Sequence, residues 1–437
     1  MEPCQYTLQE GITYHHLPST RFKTGYFSIN FILPRDRQDV AYYALLPHVL
    51  RCGSRSYPNR RAIVKRLEAL YGADIYARHF GRGDKQVISF SADFLDSAYL
   101  PPHENMDLTA ETLLLLKDIV FSPLRENGLF LREYVDTETR HCIETVRALI
   151  NRKQQYAIRR CMTLMCADEP AGIDINGTEE DFDNIDQDKL MQCYQHMLAY
   201  AQIEIFYIGS ASPSAMCAML PHFLSGYLCQ RKTIPMHCIH QHPEKTREKT
   251  ETANTTQGEL VLGFRTGVGA QDADQPALSL FNEIYGGSPS SKLFLNVREK
   301  KSLCYSCFSA IDSMTGIMYV NAGIDIHKRD EVVAEVLLQL EKMRQNSISD
   351  EELYYAKQSI ANGYRALYDS PEGLEDWYLR RILAGQPMVP EAALARIMAL
   401  QKDDVAAVAR KITPDMIYFL RGEGHEDEEE EDGDGDE

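Results

Sequence analysis

The sequence predicts an α+β protein built from two similar domains. Three observations point there. An order of strand, helix, helix and hairpin in the first half recurs about 234 residues later, where Cys52-Gly53-Ser54 falls on Gly286-Gly287-Ser288. Each half closes on an amphipathic helix leading into an apolar strand, and a polar stretch poor in apolar residues separates the two.

Taken in order, Tyr26–Pro34 ("YFSINFILP") alternates like a strand, and Asp39–Cys52 carries helical spacing up to a Gly-Ser stop. Asn59, just after Pro58, heads a second helix with Ile63, Leu67 and Leu70 three to four residues apart. Asp74–Phe94 follows as a hairpin turning at Gly81–Asp84. In the second half Gly258–Gly267 is a strand, Asp274–Ser288 a helix closed by glycines, Ser291–Ser302 a second helix, and Leu303–Ile324 a hairpin turning near Met314–Gly316. The closing helix and strand are Ile185–Ser210 in one half and Leu400–Gly422 in the other. The expected organisation is therefore a first domain over 1–229, a linker over 230–257, a second domain over 258–422 and a tail over 423–437.

Composition narrows the function classes. With 437 residues and 44% hydrophobic content the chain has ample core material. Its formal net charge is −18, but residues 423–437 hold 11 acidic groups and no Lys or Arg, leaving the rest near −7. A run of that kind repels itself, has nothing apolar to bury and is expected to be disordered. The acidic body lacks the basic balance of a nucleic-acid binder. No apolar run is long enough for a membrane span, and the first residues have neither a basic nor an apolar leader region. Eleven cysteines, odd in number and scattered from Cys4 to Cys307, suit a reduced interior, so a cytoplasmic location is expected.

Among residues that could carry chemistry, His48 in "ALLPHVLRCGS" could be a metal ligand, a packed core residue or the remnant of a lost site. His237, Cys238, His240 and His242 sit in the linker with no second cluster at metal-binding spacing, and read as a non-binding segment. Cys304 and Cys307 form a single C-x-x-C in a strand rather than at a helix start, and read as structural. "GGSPSSK" lacks the spacing of a phosphate loop and reads as a glycine-rich turn.

The segments "HVLRCGS", "QGELVLGFRTG", "YGGSPSSKLFLNVREKKSLCYS" and "ISDEELYYAKQSI", in this order and spacing, resemble the insulinase-like, or pitrilysin-type, zinc metallopeptidases. The likeness extends to about Gly422. It implies two homologous domains forming half of a clam-shaped chamber. Family members carry H-x-x-E-H on a helix, three residues ahead of G-[ST]. Anchored on Gly53-Ser54, that motif falls on Ala44, Leu45, Leu46, Pro47 and His48, of which only the last histidine remains. The family's third ligand, a glutamate seven residues beyond another, falls on Thr145 after Glu138, with Glu144 next door. Ala44, Pro47, His48 and Thr145 thus look like vestigial positions, since a catalytic zinc needs three protein ligands and a water. No cofactor is expected in this chain.

The family's second half contributes an arginine and, seven residues on, a tyrosine that contact substrate. Arg298 and Tyr305 match that spacing. A guanidinium can hold a peptide carbonyl, and a phenol can donate to a developing oxyanion. In two-chain bacterial members one subunit carries zinc and the other this pair. The resemblance therefore implies a non-catalytic subunit of a heterodimeric zinc peptidase, enclosing an unfolded peptide with a zinc-bearing homologue. Neither nucleic acid nor membrane is an expected partner. A structural or assembly subunit of the same fold, as in respiratory-complex core proteins, is the alternative, and a self-sufficient peptidase would need an unusual site. Some short bacterial members lacking the motif are associated with modification of elongation factor P.

Overall fold

The computed structural model describes residues 3–422 apart from 102, 105, 225, 228 and 235–242. The expected disordered tail and the cluster His237, Cys238, His240 and His242 lie outside the described residues. The first half runs β1 (Cys4–Gln9), β2 (Ile12–Pro18), β3 (Thr24–Pro34), α1 (Val40–Leu50), α2 (Arg60–Ala69), β4 (Asp74–Arg82), β5 (Lys85–Leu95), α3 (Leu108–Phe121), the short pair β6 (Arg125–Glu126) and β7 (Leu129–Phe130), α4 (Arg132–Ala148), α5 (Lys153–Met165), α6 (Glu179–Asp183), α7 (Gln187–Tyr200), β8 (Gln202–Gly209) and α8 (Pro213–Phe223). The second runs β9 (Arg247–Ala253), β10 (Gly258–Arg265), α9 (Gln275–Asn282), β11 (Cys304–Asp312), β12 (Ile317–Ile324), α10 (Arg329–Arg344), α11 (Asp350–Ala366), α12 (Pro371–Leu383), α13 (Pro390–Ala399), α14 (Lys402–Ala409) and β13 (Thr413–Gly422).

The chain divides into two compact units. One comprises Met1–Leu149, Cys166–Ile239 and Ala361–Arg396, and the other Ile150–Met165, His240–Ile360 and Ile397–Glu437. Each half of the sequence therefore gives one stretch to the other half's unit, an exchange that reading the halves as separate domains does not anticipate.

The first unit is a six-stranded sheet in the order β1-β2-β8-β3-β5-β4, with β2 and β8 parallel and the other pairs antiparallel. Central β3 is buried from Gly25 to Leu33. Phe27, Ile29, Phe31 and Leu33 project to one face, into a core shared with Leu45, Leu46 and Val49 of α1 and Leu115, Leu116 and Ile119 of α3. Tyr26, Ser28 and Asn30 take the other face, where they meet Glu375 of α12. Asn59 caps α2 by accepting from Ala62 N at 2.9 Å, as its position after Pro58 predicts.

The second unit is a five-stranded sheet, β11-β12-β10-β13-β9. Its exchanged element is α5, with Ala157, Cys161 and Met165 buried. Gly263 of β10 permits this approach, because a Cβ there would lie 2.5 Å from Met165 Sδ. Gln154 donates to Asn321 Oδ1 at 2.9 Å, and Asn321 to Glu259 Oε2 at 3.0 Å, which satisfies the polar groups on that sheet face. Asp415 takes Arg265 Nε at 2.8 Å and Arg247 Nη2 at 2.7 Å, and both guanidinia also donate to the carbonyl of Met165 at the end of α5.

Part of the expected linker is folded: Arg247–Ala253 pairs parallel with β13 as an edge strand. Its sequence, REKTETA, is mostly exposed, which is why composition alone hides it. The helix closed by glycines ends α-helically at Asn282 and continues as a wider π-helical turn over Glu283–Gly287. A Cβ on Gly286 would sit 2.6 Å from Ser309 Oγ, so glycine lets this turn rest against β11.

Candidate functional site

In the first unit, helix α1 is a strongly apolar helix with Pro47 inside it and nine of its residues buried, from Val40 to Leu50. His48 is its exposed residue near the C-terminal end. Ala44, one turn earlier, and Thr145 of α4 line the same cavity as His48, a space of about 660 Å³. The structure thus brings three of the vestigial positions to one place. Pro47 points instead into the protein and is buried.

These residues do not fit a zinc ion. Ala44 offers a methyl group, and Thr145 Oγ1 donates to the carbonyl of His141 at 2.8 Å. Glu138 is 3% exposed and committed to protein partners: it accepts from Arg60 Nη2 at 2.7 Å and from Cys52 Sγ at 3.4 Å, with His141 Nδ1 at 3.4 Å. Glu144 is exposed on α4. Among the described residues no three His, Cys, Asp or Glu side chains are grouped to hold a metal ion. Solvent reaches the outer edge of the His48 ring, but the protein crowding its inner side lowers its pKa, with Glu138 acting the other way and Arg51, Arg60 and His141 lowering it further. Burial, assisted by Glu138, pushes the Cys52 thiol up to about 12.

The far wall of the cavity was not anticipated from sequence. It comprises Asn30 of β3, Arg78 and Arg82 of edge strand β4, and Glu372, Glu375 and Asp376 of α12. Arg78 Nη2 lies 3.5 Å from Glu372, and Arg82 pairs with Asp376, which also takes Arg380 at 2.7 Å. The available signal was Ser28 and Asn30 alternating with apolar residues in a strand too apolar to face water, since buried polar groups require partners.

In the second unit, Arg298 and Tyr305 flank the start of β11. The Arg298 guanidinium lies over the Phe294 ring, 4.7 Å from its centroid, and is 3.7 Å from Glu299. Tyr305 is 61% exposed. It stands at a register shift between Cys304 and Ser306 in the pairing of β11 with β12. The Arg298 side chain is 42% exposed. Cys307 is buried on the same strand and Cys304 partly exposed.

Two α+β units, each a sheet covered by helices, define the class: an insulinase-like metallopeptidase fold. Residues 184–360 match the family described as Peptidase M16 inactive domain. The chain is 30% identical over 414 residues to the "Probable inactive metalloprotease YmfF" of Bacillus subtilis, covering 94% of this chain and 96% of that protein. Two solved structures are similar. One is a conserved protein from Enterococcus faecalis, with TM-score 0.89 and 28% identity over 98% of this chain and all of that one (100%). The other is a peptidase M16 inactive domain from Pseudomonas fluorescens, with TM-score 0.80 and 17% identity over 97% and 98% of the two chains. The chain belongs to the insulinase-like peptidase family and is a homologue of its inactive type. No helix among the described residues is long and apolar enough to cross a membrane.

Proposed function

We propose that this chain is the non-catalytic subunit of a heterodimeric zinc peptidase of the cytoplasm, pairing with a zinc-bearing homologue to enclose an unfolded peptide in a two-part chamber. The observation that carries this reading is asymmetric loss: the positions for metal and base are Ala44, Pro47 and Thr145, whereas Arg298 and Tyr305 are retained with their polar ends exposed. The zinc belongs to the partner. Arg298 holds the peptide through its fork of donors, and the Tyr305 phenol donates to the carbonyl oxygen on which charge develops.

The test is reconstitution. The chain is mixed with a homologue carrying an intact H-x-x-E-H, complex formation is followed by size-exclusion chromatography, and cleavage of unstructured peptides is measured for each chain and for the pair. Cleavage by the pair alone is expected. A pair that assembles and cleaves nothing, or cleaves no faster than the zinc-bearing chain alone, favours the structural or assembly subunit.

A further inference from the structure

The cavity in the first unit has a polar floor that the lost zinc motif does not explain. Asn30 is 0% exposed. Its Nδ2 donates to Glu375 Oε1 at 2.8 Å and, at 3.2 Å each, to the carbonyl of Glu204 and to Ser28 Oγ, so the amide orientation is set by these acceptors. Its Oδ1 is consequently a buried acceptor with no donor from the protein, on a residue that lines the cavity. An orphaned buried acceptor keeps its full desolvation cost unless something donates to it.

Beside it, Glu375 is 4% exposed and takes hydrogen bonds from uncharged groups, those of Tyr26, Ser28 and Asn30. It pairs with no lysine or arginine among the described residues, because Arg78 and Arg82 face Glu372 and Asp376 instead. Burial raises its pKa, against those three hydrogen bonds and the more distant Arg78. Nearby Asp93 reports the same field: its carboxyl is pushed up to about 6 by burial and then by Glu372, Asp74 and Glu375. Arg78, Arg82 and Arg380 are drawn to Glu372 and Asp376, so among the described residues Glu375 is the carboxylate of this wall that no guanidinium meets. Ala44, Ala77, Val146 and Leu379 supply apolar surface in the same cavity.

We propose that the cavity binds a primary ammonium group carried on an alkyl chain, with Asn30 Oδ1 and the Glu375 carboxylate as its acceptors. A primary ammonium has three donors and a positive charge, which are what the orphaned acceptor and the unpaired carboxylate lack, and its methylenes match the apolar lining. Such a group comes either as a lysine side chain or as a free diamine. The inference concerns this chain alone and stands whether or not a zinc-bearing partner is found.

The experiment is calorimetric titration of the isolated full chain at pH 7.5 in an amine-free buffer, with three probes: Nα-acetyl-lysine amide, cadaverine, and Nα-acetyl-norleucine amide, which lacks the ammonium. Saturable binding of the first or second and none of the third is expected. Tighter binding of acetyl-lysine amide assigns a polypeptide side chain as the source, and tighter binding of cadaverine a free amine. Glu375→Gln, which keeps shape and removes charge, is expected to weaken binding at least tenfold. Ala77→Leu, on the partly exposed edge strand, narrows the cavity without touching the polar floor and is expected to abolish binding even if Glu375→Gln does not fold. The proposal is overturned if neither amine saturates, if the norleucine amide binds equally well, or if folded variants bind like the parent.

Discussion

Arg60 Nη2 lies 2.7 Å from Glu138 Oε1, and the two ends differ sharply: the glutamate side chain is 3% exposed, the arginine 56%. A carboxylate at the family's first glutamate position is here held by an ion pair within the chain. Replacing Arg60 with Met strands a buried charge, while water reaching the arginine end moderates the cost, so a loss of about 1–2 kcal/mol is expected. The double variant Arg60→Met with Glu138→Gln should recover most of it. Urea unfolding checks both, and an unchanged midpoint for Arg60→Met would refute the pair's contribution.

Asp93 gives stability a pH dependence of defined sign. Its folded pKa of about 6, raised by burial first and then by Glu372, Asp74 and Glu375, exceeds the ordinary carboxyl value. The folded state therefore binds more protons than the unfolded one between about pH 4 and 6, and this group's contribution falls as pH rises through that window. Asp93→Asn should raise stability at pH 7.5 by about 1–3 kcal/mol and have little effect at pH 4. Thermal melts at the two pH values decide it, and destabilisation at pH 7.5 would contradict the assignment.

His48 should hold no stoichiometric zinc. Ala44 and Thr145 leave the donor set short of the three protein ligands a catalytic zinc needs. Elemental analysis of protein with His237, His240 and His242 replaced should show the same low zinc content before and after His48→Ala. One tightly held zinc per chain, lost with His48, would be the contrary result.

Tyr305 and Arg298 should affect different kinetic parameters in the reconstituted pair. Tyr305→Phe removes a donor aimed at the developing oxyanion and should lower kcat roughly a hundredfold. Arg298→Ala should mainly raise KM if the guanidinium positions the peptide. Complex formation is measured separately for each variant. Normal assembly with wild-type turnover in the double variant would reduce these residues to surface packing.

Much of the fold was legible in the sequence because it is written in local periodicity. The alternation in Tyr26–Pro34, the capping residue Asn59 and the hairpin turn between Arg82 and Lys85 all formed where they read. The polar edge strand Arg247–Ala253 did not, since an exposed strand with few apolar residues carries no period to detect. At the candidate site the identities of Ala44, Pro47, His48 and Thr145 were readable from motif spacing, but their common cavity with the wall from β4 and α12 was not.

By itself, then, the sequence determined the order of elements and the two-fold repetition, both of which depend on residue types at short spacing. Only the tertiary structure decided which helix covers which sheet. It placed α5 on the second sheet through Cys161 and Met165 against Gly263, and α12 on the first through Glu375 and Asn30, residues 345 apart in the chain. The physical reason is that a helix's own pattern states that it has a face to bury, while the surface that buries it is chosen by shape and by unsatisfied polar groups elsewhere in the fold.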